Sequence, residues 1–109
     1  MNLGLLLTRR GQLEEAQPLL EKATKLDASN AMGHVNLGYL YLQKERWAQA
    51  EKACRKAVQL DPKSVLGWSN LGLACANQGD RGGARAAWQK AAELDPEDET
   101  VRSNLKKLR

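Results

Sequence analysis

The sequence predicts an all-α fold, a solenoid of stacked antiparallel helical hairpins, on two observations. The tripeptide Asn-Leu-Gly stands at Asn2-Leu3-Gly4, Asn36-Leu37-Gly38 and Asn70-Leu71-Gly72, and Asn-Leu returns at Asn104-Leu105, each 34 residues after the last. Ala16, Ala50 and Ala84 keep the same step, as do Ala23, Ala57 and Ala91, and Leu26-Asp27, Leu60-Asp61 and Leu94-Asp95. Units of roughly 20 to 50 residues that repeat in this way stack on their neighbours, so stability comes from the stack and not from one central core. Within each unit the apolar residues recur at helical spacing, which is the second observation.

The first unit, residues 1–30, is expected to lack the start of its opening helix and to keep only about Met1 to Arg9 of it. Residues 31–64 form the most complete unit. There His34, Leu37, Gly38 and Tyr41 follow an i, i+3, i+4, i+7 pattern, the stripe that a helix buries. Lys44 to Trp47 is expected to turn the chain. A second helix should run from about Ala48 to Leu60 with Ala50, Ala53, Cys54, Ala57 and Val58 inward. It should stop near Asp61, because Pro62 cannot continue it and disfavours helical geometry in the residue before it.

Residues 65–98 repeat this plan with Trp68, Leu71-Gly72, Ala84, Ala91 and Pro96, although Gly82-Gly83 weakens the start of the second helix and predicts fraying there. The alanines and glycines let the two helices approach closely. A glycine inside a helix costs about 0.5 to 1 kcal/mol relative to alanine, so Gly38 and Gly72 must be offset by close packing. Residues 99–109 read as a capping helix, with Val101, Leu105 and Leu108 toward the stack and Arg102, Lys106, Lys107 and Arg109 toward water. On this pattern the chain reads as the C-terminal end of a longer array, or as a piece cut from one.

The residues Leu37-Gly38, Tyr41, Ala50, Ala57 and Pro62, matched in the next unit, resemble the tetratricopeptide repeat (TPR) family over essentially the whole chain. His34 stands where that family often has tryptophan, Cys75 where it often has tyrosine, and Ala28 where the later units have proline. The resemblance implies a right-handed superhelix of about three repeats plus the cap. It also implies that first helices line a concave groove and second helices form the outer wall.

Charge is distributed accordingly. Residues 31–43 and 65–79 contain no charged side chain, whereas the second helices carry Glu51, Lys52, Arg55 and Lys56, or Arg85, Lys90 and Glu93. At about 100° per residue, the face away from the buried stripe of the second unit holds Met32, Val35, Asn36, Tyr39 and Gln43. The next unit offers Leu66, Ser69, Asn70, Leu73 and Asn77, and the first offers Asn2, Leu5 and Arg9. Together with Asn104 these are the candidate groove residues.

Asparagine both donates and accepts, so the row Asn2, Asn36, Asn70, Asn104 could hold the backbone of an extended peptide, or could bond neighbouring helices. The row resembles the asparagine ladder of some TPR superhelices, such as that of O-linked N-acetylglucosamine transferase. The two-carboxylate clamp of TPR co-chaperones is not expected: Met32, Val35, Leu66 and Ser69 stand where its basic residues should be. The apolar lining points instead to a partner segment with hydrophobic residues, such as an amphipathic helix.

Other function classes find little support. A net charge of +4 with Lys and Arg interleaved among Asp and Glu argues against nucleic-acid binding. No phosphate loop, HExxH or nucleophile beside a base is present, so no catalytic residue, cofactor or metal is expected. Cys54 and Cys75 read as small core residues, the lone His34 as a packing residue, and Trp47, Trp68 and Trp88 likewise. With no targeting segment or membrane span, the cytoplasm or another soluble compartment is expected. The leading expectation is a non-catalytic protein-protein interaction module, an adaptor. The alternatives are an assembly scaffold that self-associates through its open N-terminal edge and the substrate-recognition arm of a larger enzyme.

Overall fold

A computed structural model describes the backbone of residues 3–108 and the side chains of residues 12–108. The described chain is helical throughout, in the order α1 (Leu3–Leu26), α2 (Ala31–Gln43), α3 (Trp47–Leu60), α4 (Val65–Asn77), α5 (Arg81–Leu94) and α6 (Glu99–Lys107). α2 packs chiefly on α3, α4 on α5, and α3 on α4, so two hairpins stack side by side with α6 closing the end. The radius of gyration is 14.3 Å, against about 13 Å for a compact domain of this length, as suits a short linear array.

The caps recur with the period. Asn30, Ser64 and Asp98, each 34 residues apart, accept through their side chains from the amides of Gly33, Gly67 and Val101. Each satisfies a donor that the helix start would otherwise leave unpaired. Asp80 does the same for Gly83 at 2.9 Å, which holds the start of α5 where Gly82-Gly83 would loosen it. At the hairpin turns Glu45 and Gly79 occupy the same column with φ of 59° and 84°, the left-handed residue that ends each first helix.

Close approach inside the hairpins explains the other two glycines. A Cβ on Gly38 would lie 2.6 Å from Cys54 Sγ. One on Gly72 would lie 2.6 Å from Cε2 of Trp88 and nearer still to Nε1 and Cδ1. Trp88 takes the column of Cys54 and is buried, its Nε1–H donating to Ser69 O at 3.1 Å. His34 and Trp68 also share a column and a bond. Trp68 Nε1–H donates to Pro62 O at 2.8 Å, and His34 Nε2–H donates to Ala28 O at 3.1 Å. The histidine thus does the structural work of the tryptophan.

One element departs from the sequence reading. The opening helix of the first unit was expected to end near Arg9, yet α1 runs unbroken from Leu3 to Leu26. An uninterrupted helix keeps the backbone hydrogen bonds that a turn after Arg9 would give up. It does so despite Pro18, which lacks the amide that would bond back one turn.

Candidate functional site

On α2 the exposed side chains away from α3 are Met32, Asn36, Tyr39 and Gln43, spaced i, i+4, i+7, i+11 along one stripe. On α4 the matching stripe exposes Leu66, Leu73 and Asn77. Four large apolar residues are open on these two uncharged helices: Met32 at 53%, Tyr39 at 54%, Leu66 at 57% and Leu73 at 37% of full exposure. Neighbouring uncharged helices that leave such residues in water offer an apolar contact strip with amide groups along it.

Several expected groove residues lie elsewhere. Val35 is only 3% exposed and Asn70 only 8%. Val35 stands two turns from Leu42, which is buried in the cluster that also holds Ala74 of α4, so this side of α2 faces the next hairpin. Asn70 and Asn36 share a column but not an environment: α2 packs beside α4, whereas Asn36 borders an open cleft against α1. Ser69 is half-buried, and its hydroxyl is the one buried side-chain polar atom without a hydrogen-bond partner among the described residues. The Asn77 amide nitrogen donates to Leu73 O at 2.8 Å within its own helix, and Asn104 is half-buried. The side chains of Asn2, Leu5 and Arg9 lie outside the described residues.

The cleft between α1 and α2 has a volume of 560 Å³ and is lined by Leu13, Ala16 and Leu20 from α1 and by Asn36, Tyr39, Leu40 and Gln43 from α2, with Gln12 at its edge. A different face of α2 holds a hollow of 540 Å³ between His34, Leu37 and Tyr41 and the basic rim of Lys52, Arg55 and Lys56.

Polar clasps hold the hairpins in register, and single-helix pattern reading missed them. Lys44 Nζ bonds Gln17 and lies 3.0 Å from Glu14 Oε1, tying α2 to α1. Gln78, one period on, donates to Glu51 Oε1 at 2.7 Å, and Glu51 is itself one period after Gln17. Comparing columns two at a time would have exposed this pairing. The Arg55 hydrogen bond, then that of Gln78, holds the Glu51 carboxyl below the usual range. Tyr41 Oη–H donates to Glu21 Oε2 at 2.9 Å, and burial followed by this bond pushes the phenol up.

Cys54 and Cys75 are both buried and unpaired. Burial, aided by the neighbouring Cys75, pushes the Cys54 thiol up to about 12, and burial raises Cys75 as well. Among the described residues no three His, Cys, Asp or Glu side chains are grouped to hold a metal. No described helix is long and apolar enough to cross a membrane.

Tetratricopeptide repeat family models match residues 1–65 and residues 65–98. Comparison with curated proteins gives no match. Among solved structures, the Arabidopsis OM64 TPR domain superposes with a TM-score of 0.88 at 28% identity, over 97% of this chain and 88% of that one. The first TPR of Spaghetti (RPAP3), bound to the HSP90 peptide SRMEEVD, gives 0.88 at 24% identity over 96% and 83%. The second TPR domain of human RPAP3, in complex with the HSP70 peptide SGPTIEEVD, gives 0.86 at 24% over 96% and 88%.

Proposed function

The chain belongs to the tetratricopeptide repeat family, and on that premise we propose that it is a non-catalytic protein-protein interaction module whose contact strip is the exposed face of α2 and α4. The observation that carries this reading is the exposure of Met32, Tyr39, Leu66 and Leu73 on two helices without a single charged residue. A solvated outer wall would carry charge there, as α3 and α5 do.

The partner is a peptide or helix with apolar residues. The peptides in the RPAP3 complexes end in Glu-Glu-Val-Asp, and an acidic tail of that kind needs cations to receive it. The strip on α2 and α4 has none, so it favours apolar anchors, with Asn36, Gln43 and Asn77 able to bond a backbone. The self-association reading draws on the open cleft between α1 and α2, which shares Asn36, Tyr39 and Gln43 with the strip.

Selection of binders from a random peptide library tests the reading. Selected peptides should be rich in Leu, Ile, Phe or Trp, and the exposed double substitution Tyr39→Ser, Leu73→Ser should weaken them at least about tenfold, as loss of interface anchors does. Equal affinity for that variant, with its helicity unchanged, overturns the proposal.

A further inference from the structure

The other face of α2 carries a feature that the contact strip does not use. The 540 Å³ hollow between α2 and α3 falls within the range of about 300 to 1,000 Å³ typical of ligand sites. Its floor is Leu37, Tyr41 and Ala53, each less than a tenth exposed, and Tyr41 is fixed by its bond to Glu21. Its wall along α3 is Gln49, Lys52, Lys56 and Gln59, an i, i+3, i+7, i+10 stripe of exposed side chains with an amide at each end and two cations between.

The repeat shows that this charge is particular to the second unit. One period on, Lys52 becomes Ala86, Arg55 becomes Gln89 and Gln59 becomes Glu93, so Lys90, the counterpart of Lys56, finds a carboxylate on its own helix at 3.8 Å. The lining changes at the same place, because His34 stands where the third unit has the larger ring of Trp68. Arg55 is engaged by Glu51 at 2.7 Å, but among the described residues neither Lys52 nor Lys56 has an ion-pair partner. Charge on a solvated outer helix is commonly answered about one turn away, as on α5. Here two lysines one turn apart border an apolar floor instead.

We propose that the hollow is a second docking site, which takes an acidic peptide segment of another protein. One apolar side chain of that segment enters between His34, Leu37 and Tyr41, and its carboxylates meet Lys52 and Lys56. Two ammonium groups suit a segment with two or more carboxylates, and the amides of Gln49 and Gln59 bond its backbone. Phosphate chemistry fits less well. The guanidinium on the rim is already engaged and the aromatic floor is buried, so neither a free fork for phosphate nor a stacking face for a base is offered. The hollow shares no residue with the strip on α2 and α4, so the two sites stand or fall separately.

Peptides selected from a random library on the Tyr39→Ser, Leu73→Ser chain, which lacks two anchors of the strip, test the second site alone. Selected sequences should combine Asp or Glu with an aromatic or aliphatic residue, and a labelled peptide of that kind should bind less tightly as ionic strength rises. Lys52→Glu, Lys56→Glu should weaken it at least about tenfold, whereas Lys90→Glu on α5 should leave it within about twofold. His34→Trp installs the ring that the third unit already holds at Trp68, so it narrows the hollow without touching a lysine. It too should cost at least about tenfold, with helicity unchanged. Selection without acidic enrichment, or of no peptide at all, overturns the proposal. Equal affinity for His34→Trp also overturns it, since the lysines alone then attract the peptide. A single-stranded oligonucleotide that displaces the peptide at lower concentration and depends on the same lysines assigns the hollow to phosphate and overturns it as well.

Discussion

Substituting Gly72 by alanine sets two effects of known size against each other. Helix propensity favours alanine by about 0.5 to 1 kcal/mol. The added methyl, however, would lie 2.6 Å from Cε2 of Trp88 and closer to Nε1, inside any allowed contact, and this indole is buried and cannot swing away. Overpacking of this kind costs about 1 to 3 kcal/mol. Displacing the ring also breaks the 3.1 Å bond from Trp88 Nε1 to Ser69 O, and a buried donor left unpaired costs about 1 to 3 kcal/mol more.

The net is a loss of about 3 kcal/mol, roughly 15 °C in Tm for a chain of this size. Thermal and urea denaturation followed by circular dichroism measure it. Gly82→Ala serves as the control, since the nearest atom to its Cβ is Asp80 Oδ1 at 3.9 Å. There only the propensity gain remains, and stability should rise by about 0.5 kcal/mol. The reasoning is refuted if Gly72→Ala is as stable as the parent chain, or if shrinking the ring with Trp88→Leu does not make the alanine tolerable in a double-mutant cycle.

Other outcomes follow from the same contacts. Tyr41→Phe should cost about 0.5 to 1.5 kcal/mol and speed amide exchange in α1 more than in α3, because it removes the bond to Glu21 that ties α1 to α2. Asp98→Ala should fray α6 at a cost of about 1 kcal/mol, seen as faster exchange at the Val101 amide it caps. Cys54 and Cys75 should resist an aromatic disulfide reagent at neutral pH until the chain is unfolded. The folded Cys54 thiol lies above its unfolded value of 9.0, so its contribution to stability is present below that pH and is lost as pH rises toward about 12. A pH titration of the urea midpoint in the parent chain and in Cys54→Ala checks the sign.

The fold was legible because each unit states its packing locally. Leu-Gly on one helix and alanines on the next gave the two hairpins, Pro62 and Pro96 marked where α3 and α5 end, and Val101, Leu105 and Leu108 gave the cap. α1 was misread because aligning the units carried the hairpin turn of the later repeats back to just after Arg9, whereas the helix runs on unbroken to Leu26 and keeps its backbone hydrogen bonds. The water-facing stripe was legible at Met32, Asn36, Tyr39 and Leu66, which are exposed as the helical spacing expects. It was misread at Val35 and Asn70. Which side of a helix the next hairpin covers is a property of stacking, and a single helix's periodicity cannot specify it.

The most direct test of the contact strip is amide chemical-shift mapping of the folded chain with a selected apolar peptide. Perturbations should cluster on Met32, Asn36, Tyr39, Gln43, Leu66, Leu73 and Asn77 of α2 and α4. Shifts confined to the charged outer helices α3 and α5 would contradict the account.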